Sequence, residues 1–295
     1  MSAAPPPPVS AGGAPPIRFR RAIAQGPVPC VGIYDVFSAS IAARHYETLF
    51  VSGFGLAASH YGLPDIGFIA WPDLLDFVAR LRAVVPDALL LVDIDDGFSD
   101  TEVACHVVRR LEAAGAAGVI LEDQRRPRRC GHVDGKQVLP LDEYLAKLER
   151  VLAARRELVV VARTDASDPD DVVARARAFE AAGADAVLAD GLGDLTLVRR
   201  LRAGLSGPLA FNQIAGGKSP PRGLDELRAL GVGIAIYSTP CLFAAAGAID
   251  AALAELRRTG GRLPEGAPVT ITECNALLNA NLEPRGEQRG RCTST

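Results

Sequence analysis

The chain has 295 residues, is 48% hydrophobic and carries a formal net charge of −3; that is enough for one large core, and α/β barrels use about 250 residues for one. The balance of charge offers no basic field for nucleic acid, and no apolar run approaches the roughly 20 residues needed to cross a bilayer. The six cysteines, Cys30, Cys105, Cys130, Cys241, Cys274 and Cys292, are scattered without a CxxC pair, so neither a zinc site nor a dense disulfide framework is suggested, and reduced thiols in a cytoplasmic protein are expected.

The N-terminus, MSAAPPPPVSAGGAPP, has no basic start followed by an apolar stretch, so it does not read as a secretory signal. Its composition predicts a disordered, Pro-rich tail over residues 1–16. From residue 28 onward, short apolar runs rich in β-branched residues alternate with amphipathic stretches. The predicted strands are 28–33, 48–52, 88–93, 117–121, 158–162, 185–189, 207–211 and 232–236. Continuous apolar runs of this length are expected of parallel strands buried on both faces. Between them, residues 100–114 place Val103, Val107, Val108 and Leu111 on one helical face, with Asp100 at the N-cap. Residues 168–182 open with Asp168 and Pro169, a cap followed by a favoured first position, and Gly183 closes that helix. Eight strand-then-helix units predict an α/β fold, a closed (β/α)8 TIM barrel over residues 17–258. Residues 259–295 follow as a C-terminal extension with a short helix near 270–282, of the kind that packs on a neighbouring subunit.

Active sites in this architecture lie at the C-terminal ends of the strands. There the sequence supplies Tyr34 and Asp35, then Ser52, Gly53 and Phe54, then Asp93, Asp95 and Asp96, then Glu122 and Asp123. The later strands supply Arg163 and Asp165, Asp190, Asn212 and Tyr237. A barrel with no chemistry at its rim has no use for so many ionisable groups, each of which must be desolvated or paired. The acidic run Asp93-Ile94-Asp95-Asp96, with Glu122 on the next strand, suits a hard divalent cation with oxygen ligands; the alternative is a charge cluster at the start of the following helix. Arg163 is a candidate to grip a substrate carboxylate, unless a neighbouring acid takes it. The segment 124–136, QRRPRRCGHVDGK, is long, basic and Gly-containing, as expected of a lid over an anionic pocket. Within it Cys130 lies between Arg129 and Gly131-His132, and nearby cations are expected to lower its thiol pKa toward neutrality.

These segments together resemble the isocitrate lyase/phosphoenolpyruvate mutase superfamily over residues 17–258. The resemblance is carried by GIYDVFSASIA (32–42), SGFG (52–55), GLPDIG (62–67), DIDDG (93–97), LEDQ (121–124), RRCGH (128–132), ARTDA (162–166) and GGKSP (216–220). It implies an enolate mechanism supported by Mg²⁺, with Mn²⁺ as a substitute, held largely through water by Asp93 and Asp95 with Glu122 nearby. It also implies that Ser52, Gly53 and Phe54 bind a substrate carboxylate or oxyanion. Arg163, Asp190 and Asn212 complete the substrate site, and Asp65 belongs to a gating loop. Cys130, with His132 and Arg129 beside it, matches the lyases' proton donor, and Tyr34 is the candidate base. The Cys loop and the GHVDGK stretch (131–136) look most like methylisocitrate lyase and dimethylmalate lyase-like members. Arg128 replaces their usual Lys, Asp96 a small or neutral residue, Asp190 a Glu, and Ala215 a Glu expected to shape the inner pocket.

The implied activity is carbon–carbon cleavage of a 2-hydroxy di- or tricarboxylic acid to a 2-oxo acid and a carboxylate. The alternatives are an oxaloacetate-type hydrolase or decarboxylase, phosphonate P–C bond chemistry on the same site, and a barrel that binds without catalysis. The expected partners are a small carboxylic acid and further copies of the chain in a homo-oligomer, a dimer or tetramer. No nucleic acid or membrane is expected.

Overall fold

The computed structural model describes residues 12–282 apart from 99, 265 and 267. Eight parallel strands close on themselves in sequence order: β1 (Val28–Ile33), β2 (Thr48–Val51), β3 (Leu89–Asp93), β4 (Gly118–Glu122), β5 (Val159–Thr164), β6 (Ala186–Ala189), β7 (Leu209–Gln213) and β8 (Val232–Tyr237), with β8 pairing back to β1. The expected (β/α)8 barrel is therefore the observed fold. Around it lie α1 (Pro15–Gln25), α2 (Val36–Ala42), α3 (Gly53–Leu56), which runs on into a π-helical turn at Ala57–Tyr61, and α4 (Trp71–Val84). They are followed by α5 (Thr101–Ala113), α6 (Leu141–Ala154), α7 (Pro169–Ala181), α8 (Leu195–Gly204), α9 (Leu224–Ala229), α10 (Pro240–Arg258) and α11 (Ile271–Ala280).

Two helix starts follow the sequence reading atom by atom. Asp100 accepts from the Val103 amide, and Asp168 accepts from the Asp170 and Asp171 amides with Pro169 in the first turn. Strand ends were harder to read. β5 runs to Thr164 and β7 to Gln213, each past its last apolar residue, because ladder pairing with the neighbouring strand continues there. Apolar content marks where a strand is buried, whereas backbone pairing decides where it stops.

Part of the Pro-rich tail needs correction. Residues 1–11 lie outside those described, but Pro15 and Pro16 open α1 instead of preceding it. Proline needs no N–H in a first helical turn, so a Pro-Pro pair starts a helix as readily as it extends a tail. Phe19 and Ile23, one turn apart, are buried from α1 in the cluster that fills the barrel interior with Cys30, Phe50, Leu89, Leu91, Ile120, Val159, Val161, Leu188, Ile234 and Ile236. A separate, larger apolar shell joins the outward strand residues to the surrounding helices. The strand alternation that divides these two shells also decides which side chains reach the rim pocket. By contrast, α10 and α11 bury no residue. No helix among the described residues is long and apolar enough to cross a membrane.

Candidate active site

Continuing the inward-facing rows of β2 to β8 by two residues leads from the barrel core to the rim around the pocket. Leu89 and Leu91 lead to Asp93, Val159 and Val161 to Arg163, Phe50 to Ser52, Ile120 to Glu122, Leu188 to Asp190, Ala210 to Asn212 and Ile236 to Ser238. The resulting pocket lies at the C-terminal ends of the strands, and its floor is apolar: Phe50, Ile120, Leu188 and Ile236. Ser52, Asp65, Asp93, Arg163, Asp190, Asn212 and Ser238 line its polar part, and Cys130 and Gly131 reach it from the segment 124–136. Phe54 and Ile214 complete the wall.

Asp93 and Asp95 stand on a tight turn in which Asp95 adopts φ 52, a conformation uncommon for a residue with a side chain, and its amide donates to Asp93 Oδ1 at 3.1 Å. Gly53 faces this turn. A Cβ there would come within 3.2 Å of Asp95, 3.6 Å of Asp93 and 3.8 Å of Asp65, so three carboxylates converge on the space that glycine leaves. Burial raises the pKa of Asp93 and, strongly, that of Asp95, and pushes Glu122 up to about 7 against the pull of Arg128 and Arg163. Asp123, the next residue, points the opposite way and meets Arg175 of α7 at 3.1 Å. Of the adjacent acids, only Glu122 therefore belongs to the site.

Arg163 is almost fully enclosed. Its Nε donates to Asp165 at 2.8 Å, and its Nη2 lies 3.0 Å from Asp190 and 3.3 Å from Glu122. Nη1 is 4.0 Å from Asp93 on the pocket side. One edge of the guanidinium thus remains for a ligand, while the other is held by acids. Asp190 is itself fixed by Asn212 Nδ2 at 2.9 Å, and Ser238 Oγ donates to Asn212 Oδ1 at 2.7 Å. His132 Nδ1 accepts from the Lys218 amide at 3.0 Å, which leaves Nε2 to face Asp190 at 3.4 Å. Burial opposes ionisation of Asp190, but Arg163, His132 and Asn212 outweigh it and hold the carboxyl well below the usual carboxylate range.

The 124–136 segment closes over this rim through charge. Arg128 Nε donates to Glu122 at 2.8 Å, its Nη1 meets Asp65 at 2.5 Å, and its Nη2 lies 3.1 Å from Asp95. Arg126 makes two bonds to Asp96, at 2.6 and 2.8 Å, and Lys136 donates to Asp165 at 2.9 Å. Asp96, unusual in the sequence comparison, is thus the partner of a lid arginine. Gly131 is needed for close approach, since a Cβ there would lie 2.0 Å from Asp190.

Several expectations change. Arg129 is exposed and turned away from the pocket, while Arg128 is the buried cation. The Cys130 thiol is not lowered toward neutrality. Burial pushes its pKa up to about 11, and the pull of the His132 amide and of Arg163 does not compensate. Tyr34 is not among the pocket-lining residues; burial, then Asp35 and Cys241, raise its pKa, which opposes a role as base. Ala215 is exposed, and its neighbour Ile214 is the pocket residue. Ser238 and Ile214 were missed. Period-two alternation carried one residue past β8 points to Ser238 in place of Tyr237, whereas no sequence signal marks Ile214.

Asp93, Asp95 and Glu122 do not gather into a direct chelate: among the described residues no three His, Cys, Asp or Glu side chains could hold a metal ion by themselves. The donors nevertheless fit a hard cation held largely through water. They are all carboxylates, they converge over Gly53, and Asp95 Oδ1 is buried without a hydrogen bond, because Arg128 Nη2 is close to it but poorly aligned.

Residues 19–257 match the family model described as phosphoenolpyruvate phosphomutase. The chain belongs to the phosphoenolpyruvate mutase/isocitrate lyase superfamily. It is 31% identical over 258 residues to the 2,3-dimethylmalate lyase of Eubacterium barkeri, covering 84% of this chain and 88% of that one. It is 32% identical over 250 residues to the 2-methylisocitrate lyase of Bacillus subtilis, covering 83% and 82%. Among solved structures, a 2,3-dimethylmalate lyase has a TM-score of 0.86 at 27% identity, covering 92% of this chain and 94% of that one. An oxaloacetate acetylhydrolase bound to 3,3-difluorooxalacetate has 0.86 at 29%, covering 91% and 95%. A phosphonopyruvate hydrolase in complex with oxalate and Mg²⁺ has 0.81 at 28%, covering 92% and 96%. This superfamily is one of enzymes whose members include lyases, hydrolases and mutases, so membership makes the chain one of a family of enzymes but leaves the reaction and the substrate open.

Proposed function

We propose that the protein is a Mg²⁺-dependent carbon–carbon lyase that cleaves a small 2-hydroxy dicarboxylic acid to a 2-oxo acid and a carboxylate through an enolate. The observation that carries this reading is the placement of Cys130, a half-buried thiol on the lid whose pKa burial raises, in one pocket with Asp93, Arg163 and Ser52. A divalent cation held by Asp93 and Asp95, with Glu122 nearby, would supply positive charge for the oxygen anion that develops as the bond breaks. The free edge of Arg163 orients one substrate carboxylate, and the Ser52 hydroxyl with the amides of Gly53 and Phe54 receives the other. Asp190 and Asn212 fix the arginine and the pocket wall. As the carbon–carbon bond breaks, the substrate hydroxyl passes its proton to a rim carboxylate and becomes the carbonyl of the 2-oxo acid, and the bonding pair moves into the enolate. Cys130 delivers its proton to the enolate carbon and regains one from solvent after the products leave, with His132 holding the loop in place and the closed segment keeping water out.

The test is NMR of the protein with Mg²⁺ and a panel containing dimethylmalate, methylisocitrate, citramalate, oxaloacetate and phosphonopyruvate, with an EDTA control. A Mg²⁺-dependent 2-oxo acid and carboxylate pair is expected, and Cys130→Ser is expected to slow it by about 100-fold or more. Full-rate cleavage by that variant would remove Cys130 from the proton transfer. A second reading, hydrolysis of a 2-oxo dicarboxylate, is favoured by the hydroxyl of Ser238 in the pocket beside Asn212 and by the likeness to an oxaloacetate acetylhydrolase. Acetate release from oxaloacetate in the same assay would select it.

A further inference from the structure

The turn between β3 and α5, which carries the proposed cation site, is left-handed at three of its residues. The Gly97 amide donates to the Ile94 carbonyl at 2.9 Å and closes a four-residue turn with Asp95 and Asp96 at its centre. Asp95 has φ 52, Gly97 φ 81 and Phe98 φ 74. Residues with a Cβ avoid this region, and a bulky one such as Phe98 is an outlier there. Gly97 is required, since a Cβ would lie 2.8 Å from that of Ala104, and Phe98 is fixed by burial in the outer apolar shell. Asp95 gains a different arrangement from its φ. Its carbonyl accepts from the Glu122 amide at 2.9 Å, and its carboxylate turns toward those of Asp93 and Asp65 over Gly53. Relaxing φ to a negative value would redirect the Cβ and break the bond to Glu122.

Asp96 is the residue that holds this conformation. It is buried, it is not among the pocket-lining residues, and no step of the proposed reaction uses it. Its Oδ1 accepts from the Phe98 amide at 3.2 Å and from Arg126 Nη2 at 2.8 Å, and its Oδ2 accepts from Arg126 Nε at 2.6 Å. Its carbonyl accepts from Lys147 Nζ of α6 at 3.0 Å. One residue is thus bonded by the turn itself, by the segment after β4 and by a helix. A two-pronged arginine–carboxylate pair is among the stronger polar contacts and is sufficient to offset the strain of one left-handed residue beside it.

We propose that Asp96 is a positioning residue: anchored by Arg126 and Lys147, it keeps Asp95 left-handed and so sets the Asp95 carboxylate for the divalent cation. This inference rests on the cation site of the proposed function. Its signature differs in sign from that of charge alone. Arg126 is a cation near the site, so by charge its removal strengthens cation binding. By positioning, its removal frees Asp96 and weakens that binding. Replacing Asp96 by Ala or by Asn removes the same charge, but only Asn keeps an oxygen for the Phe98 amide.

The test uses full-length protein with Mn²⁺ as the probe, free Mn²⁺ being followed by electron paramagnetic resonance and exchange of the Glu122 amide by NMR. Asp96→Ala is expected to weaken Mn²⁺ binding about tenfold. Asp96→Asn and Arg126→Met are each expected to weaken it roughly threefold. In all three variants the Glu122 amide exchanges faster than in the wild type, most so in Asp96→Ala. The Arg126 side chain is half exposed, so Arg126→Met decides the matter if Asp96→Ala fails to fold. Unchanged or tighter Mn²⁺ binding by Arg126→Met, or equal losses in Asp96→Ala and Asp96→Asn, overturns this inference alone. Absence of Mn²⁺ binding by the wild type overturns it together with the cation site.

Discussion

Cys130 shows how a side chain's surroundings override its sequence neighbours. Four arginines precede it in the segment, yet Arg128 is spent on carboxylates and Arg129 faces solvent, so burial governs the thiol. The consequence for pH has a definite sign. An acid must hold its proton to act, and a thiol raised to about 11 holds it throughout the neutral range. We therefore expect kcat/KM between about pH 7 and 9 to show no alkaline loss attributable to Cys130, measured as a pH–rate profile. A loss near pH 8 that moves in a Cys130 variant would contradict this. Asp190 has the opposite sign. Its depressed pKa means that its contribution to stability is present above the ordinary carboxylate range and is lost as pH falls below it.

At the scale of elements, adjacent residues at the end of β4 part company. Glu122 continues the inward row and enters the site; Asp123 continues the outward row, accepts the Asp165 amide at 2.9 Å and clamps Arg175 of α7. The sequence placed both at the rim, and only the parity of the strand separates a chemical role from a structural one. Arg175 also bonds Asp171 one turn back at 2.9 Å, so the pair ties α7 to the barrel. Arg175→Ala is expected to destabilise the protein by about 3 kcal/mol in urea denaturation, because it leaves a buried carboxylate unpaired. Mn²⁺ affinity should change little, since Asp123 faces away from the pocket. A variant with wild-type stability would show that the clamp carries no net energy.

At the scale of the molecule, α10 and α11 present apolar surface that the other described residues leave exposed. Ile249 and Leu253 of α10 and Ile271 of α11 are each more than half exposed, and Phe37 and Ile41 of α2 add to the apolar exposure. Asn281, just past α11, donates to Ser40 of α2 at 3.0 Å. So much apolar surface favours a homo-oligomer that covers it, with the C-terminal extension packed on a neighbouring copy. Light scattering on the eluting protein is expected to give a dimer or tetramer, and Ile249→Glu with Leu253→Glu is expected to shift it toward monomer. Phe243 of α10 meets Phe54 of the pocket edge-on at 6.1 Å, so the dissociated variant should also bind its substrate more weakly. A wild-type monomer would refute this arrangement.

The sequence by itself determined the barrel, its eight units, the caps of α5 and α7, and the rim positions from which Asp93, Glu122, Arg163, Asp190 and Asn212 reach the site. These are local facts: apolar period, capping chemistry and the rule that strand ends carry the chemistry. Only the tertiary structure decided that Arg128 and not Arg129 turns inward, that Asp65 meets it and that Tyr34 stands outside the pocket. Each of these depends on which distant carboxylate or wall lies within reach of a side chain. That distance is set by closure of the barrel and the path of its loops, which residue spacing along the chain does not encode.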